Sequence, residues 1–269
     1  MIDRHSIRLR RRLERWYHKS NAGQSLSRQL GDELTGRLED IFGYNLLFIG
    51  VDPGVALATM TRVRALVAAS PDYAAERPTQ LHVIANDEEL PLETESIDVV
   101  VACNALDLSA DPHQVLREIR RVLTPHGHLI LVGFNPNSLL GLGRRLGRRR
   151  RQHLSPWPGL RSLPPQRVAD WLSLIDFDCA LISHKQVIPV PNRGYLAKPL
   201  QRIDRWLSQN HAPFGSSYLI QARKLVRGHL HPTNYSRLKP RLISLPIAKP
   251  IVGSNSPTTR QTRKLPPST

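Results

Sequence analysis

The sequence predicts an α/β fold built on a mainly parallel sheet. Three observations lead there. Short apolar runs alternate with longer amphipathic segments, the pattern of repeated βαβ units. Several runs, such as SIDVVVACNAL at 96–106, are apolar without alternation, as strands covered on both faces are. And 269 residues at 40% hydrophobic content suffice to bury a sizeable core.

Taken in order, residues 5 to 42 read as helical. Leu26, Leu30, Leu34, Leu38 and Ile41 fall three or four apart and form one apolar stripe, which Gly43 is expected to end. NLLFIG (45–50) reads as the first strand. TRVRALVAAS (61–70) is ambiguous between strand and helix, because its Val and Ala alternate poorly. TQLHVIAND (79–87) reads as a buried strand ending in polar residues, and SIDVVVACNAL as the next. DPHQVLREIRRVL follows as a helix started by Asp111 and Pro112, with Val115, Leu116, Ile119, Val122 and Leu123 on one face. HGHLILVGFNP is a strand, LPPQRVADWLSLIDF a helix begun by proline, and DCALISHKQVIP and SSYLIQARKLV two more strands. In such sheets a ligand lies beyond the carboxyl ends of the strands, at the switch point. The turns after Ile49, Ala85, Val101 and Val132 are therefore where a site is expected.

The net charge of +16 is concentrated. Residues 1–19 hold seven Lys/Arg against two acids, RRLGRRRR at 144–151 holds six Arg, and 226–269 hold eight Lys/Arg and no acid. Together these segments exceed the charge of the whole chain, so the remaining body is slightly acidic. Such runs attract anionic partners or are merely solvated. Residues 226–269 are rich in Pro, Ser and Thr without periodicity, and read as a disordered basic tail. Two cysteines, Cys103 and Cys179, sit in apolar stretches, which argues for a reducing compartment and against a disulfide framework or zinc site. No signal peptide or membrane-spanning run is visible, so a cytoplasmic protein is expected.

The stretch IANDEELPLETESIDVVVACNALDLSADPHQVLREIRRVLTPHGHLILVGFNP closely resembles the centre of the type 11 group of class I S-adenosylmethionine-dependent methyltransferases. In that group an acidic turn and Leu-Pro-aromatic lead to an sFD strand, and a DP…LREi.RVLkPGG.L helix and strand follow. Here LPL, SID, DPHQVLREIRRVLTPHG and HLILVGFNP stand in that order at matching intervals. The match covers about residues 45–135 and, with the WLSLIDF helix and the final strand, extends to about 225. The resemblance implies a three-layer sandwich with a seven-stranded Rossmann-like methyltransferase sheet, and S-adenosylmethionine lying across its first strands. It divides the chain into a basic helical extension (1–44), a methyltransferase-like domain (45–225, with a basic loop insertion at 136–162) and the tail (226–269).

By the same resemblance, Gly50, Val51, Asp52 and Gly54 form the cofactor loop, here degenerate. Phe48 stands where the family's first strand carries an acid, and Asp52 where it carries the middle glycine. Either the Asp52 carboxylate captures the methionyl ammonium, or the turn is remodelled and needs no ligand. About 30 residues between Gly54 and Asn86 hold what the family builds as helix, strand, helix and strand, so a shortened second βα unit is expected. The acid that binds the ribose hydroxyls has no counterpart in VRALVAAS. Asp72 could replace it only if the turn bends back. Asn86 takes the place of the adenine-binding acid, with Asp87 beside it as a replacement, and NDEEL is otherwise a plain polar turn. Cys103 and Asn104 face the methionyl and substrate side. No pair of side chains asks to be a general base, since positioning an acceptor in line with the sulfonium methyl supplies much of the rate. His113, His126 and His128 are expected at the surface, their spacing being no metal pattern.

Two functions follow. One is a methyltransferase acting on a lipid-like, acyl-carried or RNA acceptor. The other is a catalytically inactive protein of the same fold, serving as a basic binding module for RNA, an anionic membrane or a protein partner. A pyridine-nucleotide enzyme is poorly supported, because GVDPG lacks the spacing of a dinucleotide fingerprint. Nucleic acid or an anionic membrane surface would meet Arg144, Arg145, Arg148, Arg149, Arg150, Arg151 and the tail. Residues 1–44 fit a dimerising helix pair or a lid, which leaves the oligomeric state open. Gly50→Arg is expected to abolish cofactor binding with the fold intact.

Overall fold

The structure, a computed structural model, describes residues 4–55, 57, 62–71, 81–138, 159–185 and 215–226. Asp72, the arginine run 144–151 and the tail beyond 226 lie outside the described residues. The chain divides into a unit of Met1–Arg227 and a unit of Gly228–Thr269. Within the first, seven strands form one sheet: β1 (Asn45–Gly50), β2 (Ala65–Ser70), β3 (Leu81–Ile84), β4 (Ile97–Cys103), β5 (Leu123–Phe134), β6 (Phe177–Lys185) and β7 (Ser217–Lys224), in the order β3-β2-β1-β4-β5-β7-β6. β1 to β5 run parallel, and β7 is antiparallel to both β5 and β6. The order reverses between β1 and β4, which places the switch point beside Gly50.

The strand period of two sorts β1 onto both faces. Leu46 and Phe48 join the layer of helices α1 (Arg4–Lys19) and α2 (Asn21–Leu38), with Leu13, Tyr17, Leu26, Leu30 and Leu34. Leu47 and Ile49 face the opposite layer, where α4 (Pro112–Val122) contributes Val115, Leu116 and Ile119 and α5 (Pro165–Leu174) contributes Val168 and Leu172. A short helix α3 (Ala105–Leu108) joins β4 to α4. Each fully buried aliphatic or aromatic side chain adds about 2 kcal/mol. Phe48 is 2% exposed, so the family's acid position has become part of the core beneath α1 and α2.

The ambiguous segment TRVRALVAAS is a strand, because pairing with β1 buries Leu66 to Ala69 more completely than a helix of alternating Val and Ala could. The helical reading of 5–42 resolves into two helices that break at Ser20, whose Oγ accepts the Gly23 N–H and caps α2. α2 ends at Leu38, not at Gly43, and the N–H of Glu39 closes it on Thr35. Gly43 serves a different purpose. A Cβ there would lie 2.7 Å from the Asp98 Cβ, and Asp98 Oδ2 accepts the N–H groups of Tyr44 and Asn45 to seat the start of β1. The β2-to-β3 connection, residues 71–80, is ten residues long, below the dozen or more that parallel strands usually need. Among the described residues no helix is long and apolar enough to cross a membrane.

Candidate functional site

β1, β2 and β4 end at one crevice, and the turn after β3 closes its side. Gly50 has φ +90°, and a Cβ on it would lie 2.0 Å from the Cys103 carbonyl oxygen. That carbonyl also accepts the Val51 N–H at 2.8 Å. Glycine is thus required by the β1–β4 junction itself. The expectation that Gly50→Arg spares the fold is corrected, since any side chain there forces the two strands apart. The Val51 side chain is buried in the α1–α2 layer. Asp52 Oδ1 accepts the N–H groups of Gly54 at 2.8 Å and Val55 at 3.3 Å, folding the turn on itself as aspartate does in Asx turns. Its carboxylate is therefore engaged by the loop it belongs to. Gly54 also takes a positive φ, +82°, with the His18 ring of α1 close above it.

Helix α1 roofs this crevice through three side chains on its inner face. Arg10 is 3% exposed; its Nη1 donates to the Gly50 carbonyl at 2.6 Å and its Nη2 to Asp87 Oδ2 at 2.6 Å. Arg10 Nε and Asp87 Oδ1 are both buried with no hydrogen-bond partner among the described residues. The Tyr17 hydroxyl donates to Asn104 Oδ1 at 2.8 Å. Leu13, between them, packs in the core.

The NDEEL turn is held residue by residue. Asp87 meets Arg10, and Glu88 Oε1 accepts the Ser109 hydroxyl and the N–H groups of Ala110 and Asp111. From α4, Glu118 accepts the Leu90 N–H, while Arg121 donates to the carbonyls of Leu90 and Leu92. A cavity with about 450 Å³ of open space lies here, lined by Ser6, Arg10, Pro71, Asn86, Asp87 and Leu108 among others. Asn86 and Asp87 thus share one pocket, Asn86 half-buried at its wall and Asp87 buried beneath Arg10. β2 ends in Ser70, whose hydroxyl is 3.2 Å from His82 Nε2, so no acid stands at that strand end.

Beyond β4, Asn104 adopts the left-handed conformation with φ +53° and is fully buried. Its Nδ2 donates to Asp107 Oδ2 at 2.8 Å, and the Phe134 N–H donates to the same oxygen at 3.1 Å. Burial pushes the Asp107 carboxyl up to about 7, against the pull of those two hydrogen bonds. Asp107 Oδ1 and the Tyr218 hydroxyl are buried without a hydrogen-bond partner among the described residues. Burial first, then the Asp107 charge, raises the Tyr218 hydroxyl well above its ordinary value. Cys103 is buried under α1 and α2. His113 is exposed and stacks on Trp171, His126 is exposed, and His128 is half-buried.

Arg10, Tyr17 and Asp107 escaped the sequence reading. Arg10 stands three residues before Leu13, hence on the apolar face of its helix, and Asp107 is an isolated acid three residues after Asn104 in an apolar run. Each pattern is a usable signal for a polar group carried into the interior.

Comparison with known proteins agrees with this architecture. The type 11 methyltransferase family, described as "Methyltransferase domain", matches residues 47–131. YafS of Escherichia coli (strain K12), an uncharacterised protein, is 30% identical over 220 residues, covering 81% of this chain and 83% of YafS. Among solved structures, a SAM-dependent methyltransferase of Thermotoga maritima covers 80% of this chain and 98–99% similarity in extent is typical, with 99% of that chain covered, 16% identity and a TM-score of 0.56. A chain from the complex of the Haloferax volcanii Trm112 methyltransferase activator with a methyltransferase gives 0.55 at 16% identity, covering 80% of this chain and 98% of that one.

Proposed function

Because the chain belongs to the class I S-adenosylmethionine-dependent methyltransferases, we propose that it binds S-adenosylmethionine in the crevice above Gly50 and methylates an acceptor entering beside α3. The observation that carries this reading is the half-finished ion pair. Arg10 and Asp87 are buried together at the switch point, with one donor and one acceptor unsatisfied, an arrangement that costs a few kcal/mol until a ligand's polar groups complete it. Gly50 and Gly54 keep side chains off the loop, Asn86 and Asp87 offer acceptors to the adenosine portion, and Arg10 offers a donor. Bound there, the cofactor supplies a sulfonium methyl as electrophile. Asn104 and Asp107 stand on the far side of β4, where Asp107, poised near 7, can take a proton from an acceptor. A lipid-like, acyl-carried or RNA acceptor fits the family and the charge, and the basic segments favour one held at an anionic surface or on a polyanion.

Calorimetric titration of the ligand-free protein with S-adenosylmethionine and S-adenosylhomocysteine tests the reading. Micromolar affinity for either supports it. Absence of heat and of thermal shift at millimolar ligand sinks it, and leaves the catalytically inactive basic module. That second reading draws on the Asp52 carboxylate being spent on its own turn and on the acid-free end of β2.

A further inference from the structure

We infer that Arg10 is the residue that reads a ligand carboxylate, so that the crevice selects ligands ending in an α-amino acid; this rests on the reading of the crevice as an S-adenosylmethionine site. A guanidinium presents five N–H donors in a planar fork. Arg10 commits Nη1 to the Gly50 carbonyl and Nη2 to one oxygen of Asp87, while its Nε–H has no acceptor among the described residues. Asp87 likewise uses only Oδ2. The pair is one-armed where a two-pronged contact would have satisfied both groups.

The two partners differ in how firmly they are held. The turn carrying Asp87 is fixed on one side by Glu88 bonded to Ser109, Ala110 and Asp111, and on the other by Glu118 and Arg121 bonded to Leu90. Arg10 reaches the crevice on a long side chain from α1, so it is the partner that can turn toward a ligand. An incoming carboxylate alone would place a second anion beside buried Asp87, which is costly. An ammonium on the same carbon removes that cost, because it takes over the Gly50 carbonyl that Nη1 now occupies. The ion pair and an amino-acid zwitterion thus exchange partners with no net charge left buried. Asp87 Oδ1 remains to accept an O–H or N–H from the rest of the ligand.

Three ligands of the full-length protein test this by calorimetry: S-adenosylhomocysteine, its decarboxylated form and 5′-methylthioadenosine, which lacks the amino-acid portion. S-adenosylhomocysteine should bind at least tenfold tighter than the decarboxylated form, roughly the worth of a charge-assisted hydrogen bond. In R10Q that ratio should fall to near one while 5′-methylthioadenosine binds about as in the wild type; R10K, which keeps a cation for Asp87, should retain part of the ratio. Circular dichroism melting establishes that each variant folds, and R10K carries the comparison if R10Q does not. Equal affinity for the carboxylated and decarboxylated ligands in the wild type overturns the inference, as does a tightening of all three in R10Q, which would make Arg10 an obstruction. Binding of none of the three removes the cofactor reading itself, a result separable from the other two.

Discussion

Asp107 is charged only at a cost, and that cost has a pH signature. Its folded carboxyl titrates at about 7 against an ordinary 3.8. Below pH 4 the carboxyl is protonated in both the folded and unfolded chain, and its contribution to stability is fully present. As pH rises from 4 to 7 the unfolded state ionises first, so stability falls by up to about 1.4 kcal/mol per pH unit and levels off above 7. Asp107→Asn keeps an oxygen for the N–H groups of Asn104 and Phe134 but does not titrate. The melting temperature of ligand-free wild type should therefore decline relative to this variant between pH 5 and 8; parallel curves would show an ordinary carboxyl. At this scale the sequence was partly legible. Gly50, Asn86 and Asp87 were named from the turn pattern and do line the crevice, whereas Arg10, 77 residues from Asp87, could not be paired with it by any local rule. Asp52 was named too, but which of its two readings held depended on backbone N–H directions that residue type does not encode.

Among the elements, α2 and α4 show how helices fasten the sheet. Glu33 of α2 accepts Arg37 and the Ser183 hydroxyl, and pairs with Lys185 of β6. Burial alone would raise its carboxyl, but Lys185 and Arg37 hold it below the ordinary 4.5. With its folded pKa depressed, Glu33 contributes stability above about pH 4.5 that is lost as pH falls through the folded value. Glu33→Gln should lower stability at pH 7 by about 1 kcal/mol in urea unfolding, with the deficit shrinking below pH 4; a constant deficit would locate the effect in packing. In α4 the glutamate and second arginine of LREIRR clamp Leu90 and Leu92, which gives the recurrent order of LPL and that helix a physical reason. α4 was legible because Asp111, Pro112 and its apolar face agreed. The α1–α2 pair was legible as helix but not as roof, because an apolar stripe says that a face is covered without saying by what.

For the molecule as a whole, the sandwich followed from alternating elements, and the strand order from the resemblance. The final two strands, antiparallel to one another, are indistinguishable by composition from parallel ones. The tail of 228–269 forms a unit apart from Met1–Arg227. Deleting it should leave the melting temperature within about 2 °C, since no described core residue lies beyond Val226 and surface segments contribute little; a large loss would mean that the tail packs on the sheet.

The roof of the crevice has a consequence for how the chain is born. Arg10 and Tyr17 are among the first residues made, yet their seats at Asp87 and Asn104 come 77 and 87 residues later. Contacts so distant along the chain form late, after nearer ones have closed the intervening loops. On the ribosome, α1 must therefore emerge and wait, its apolar stripe uncovered, until the fourth strand has followed it out.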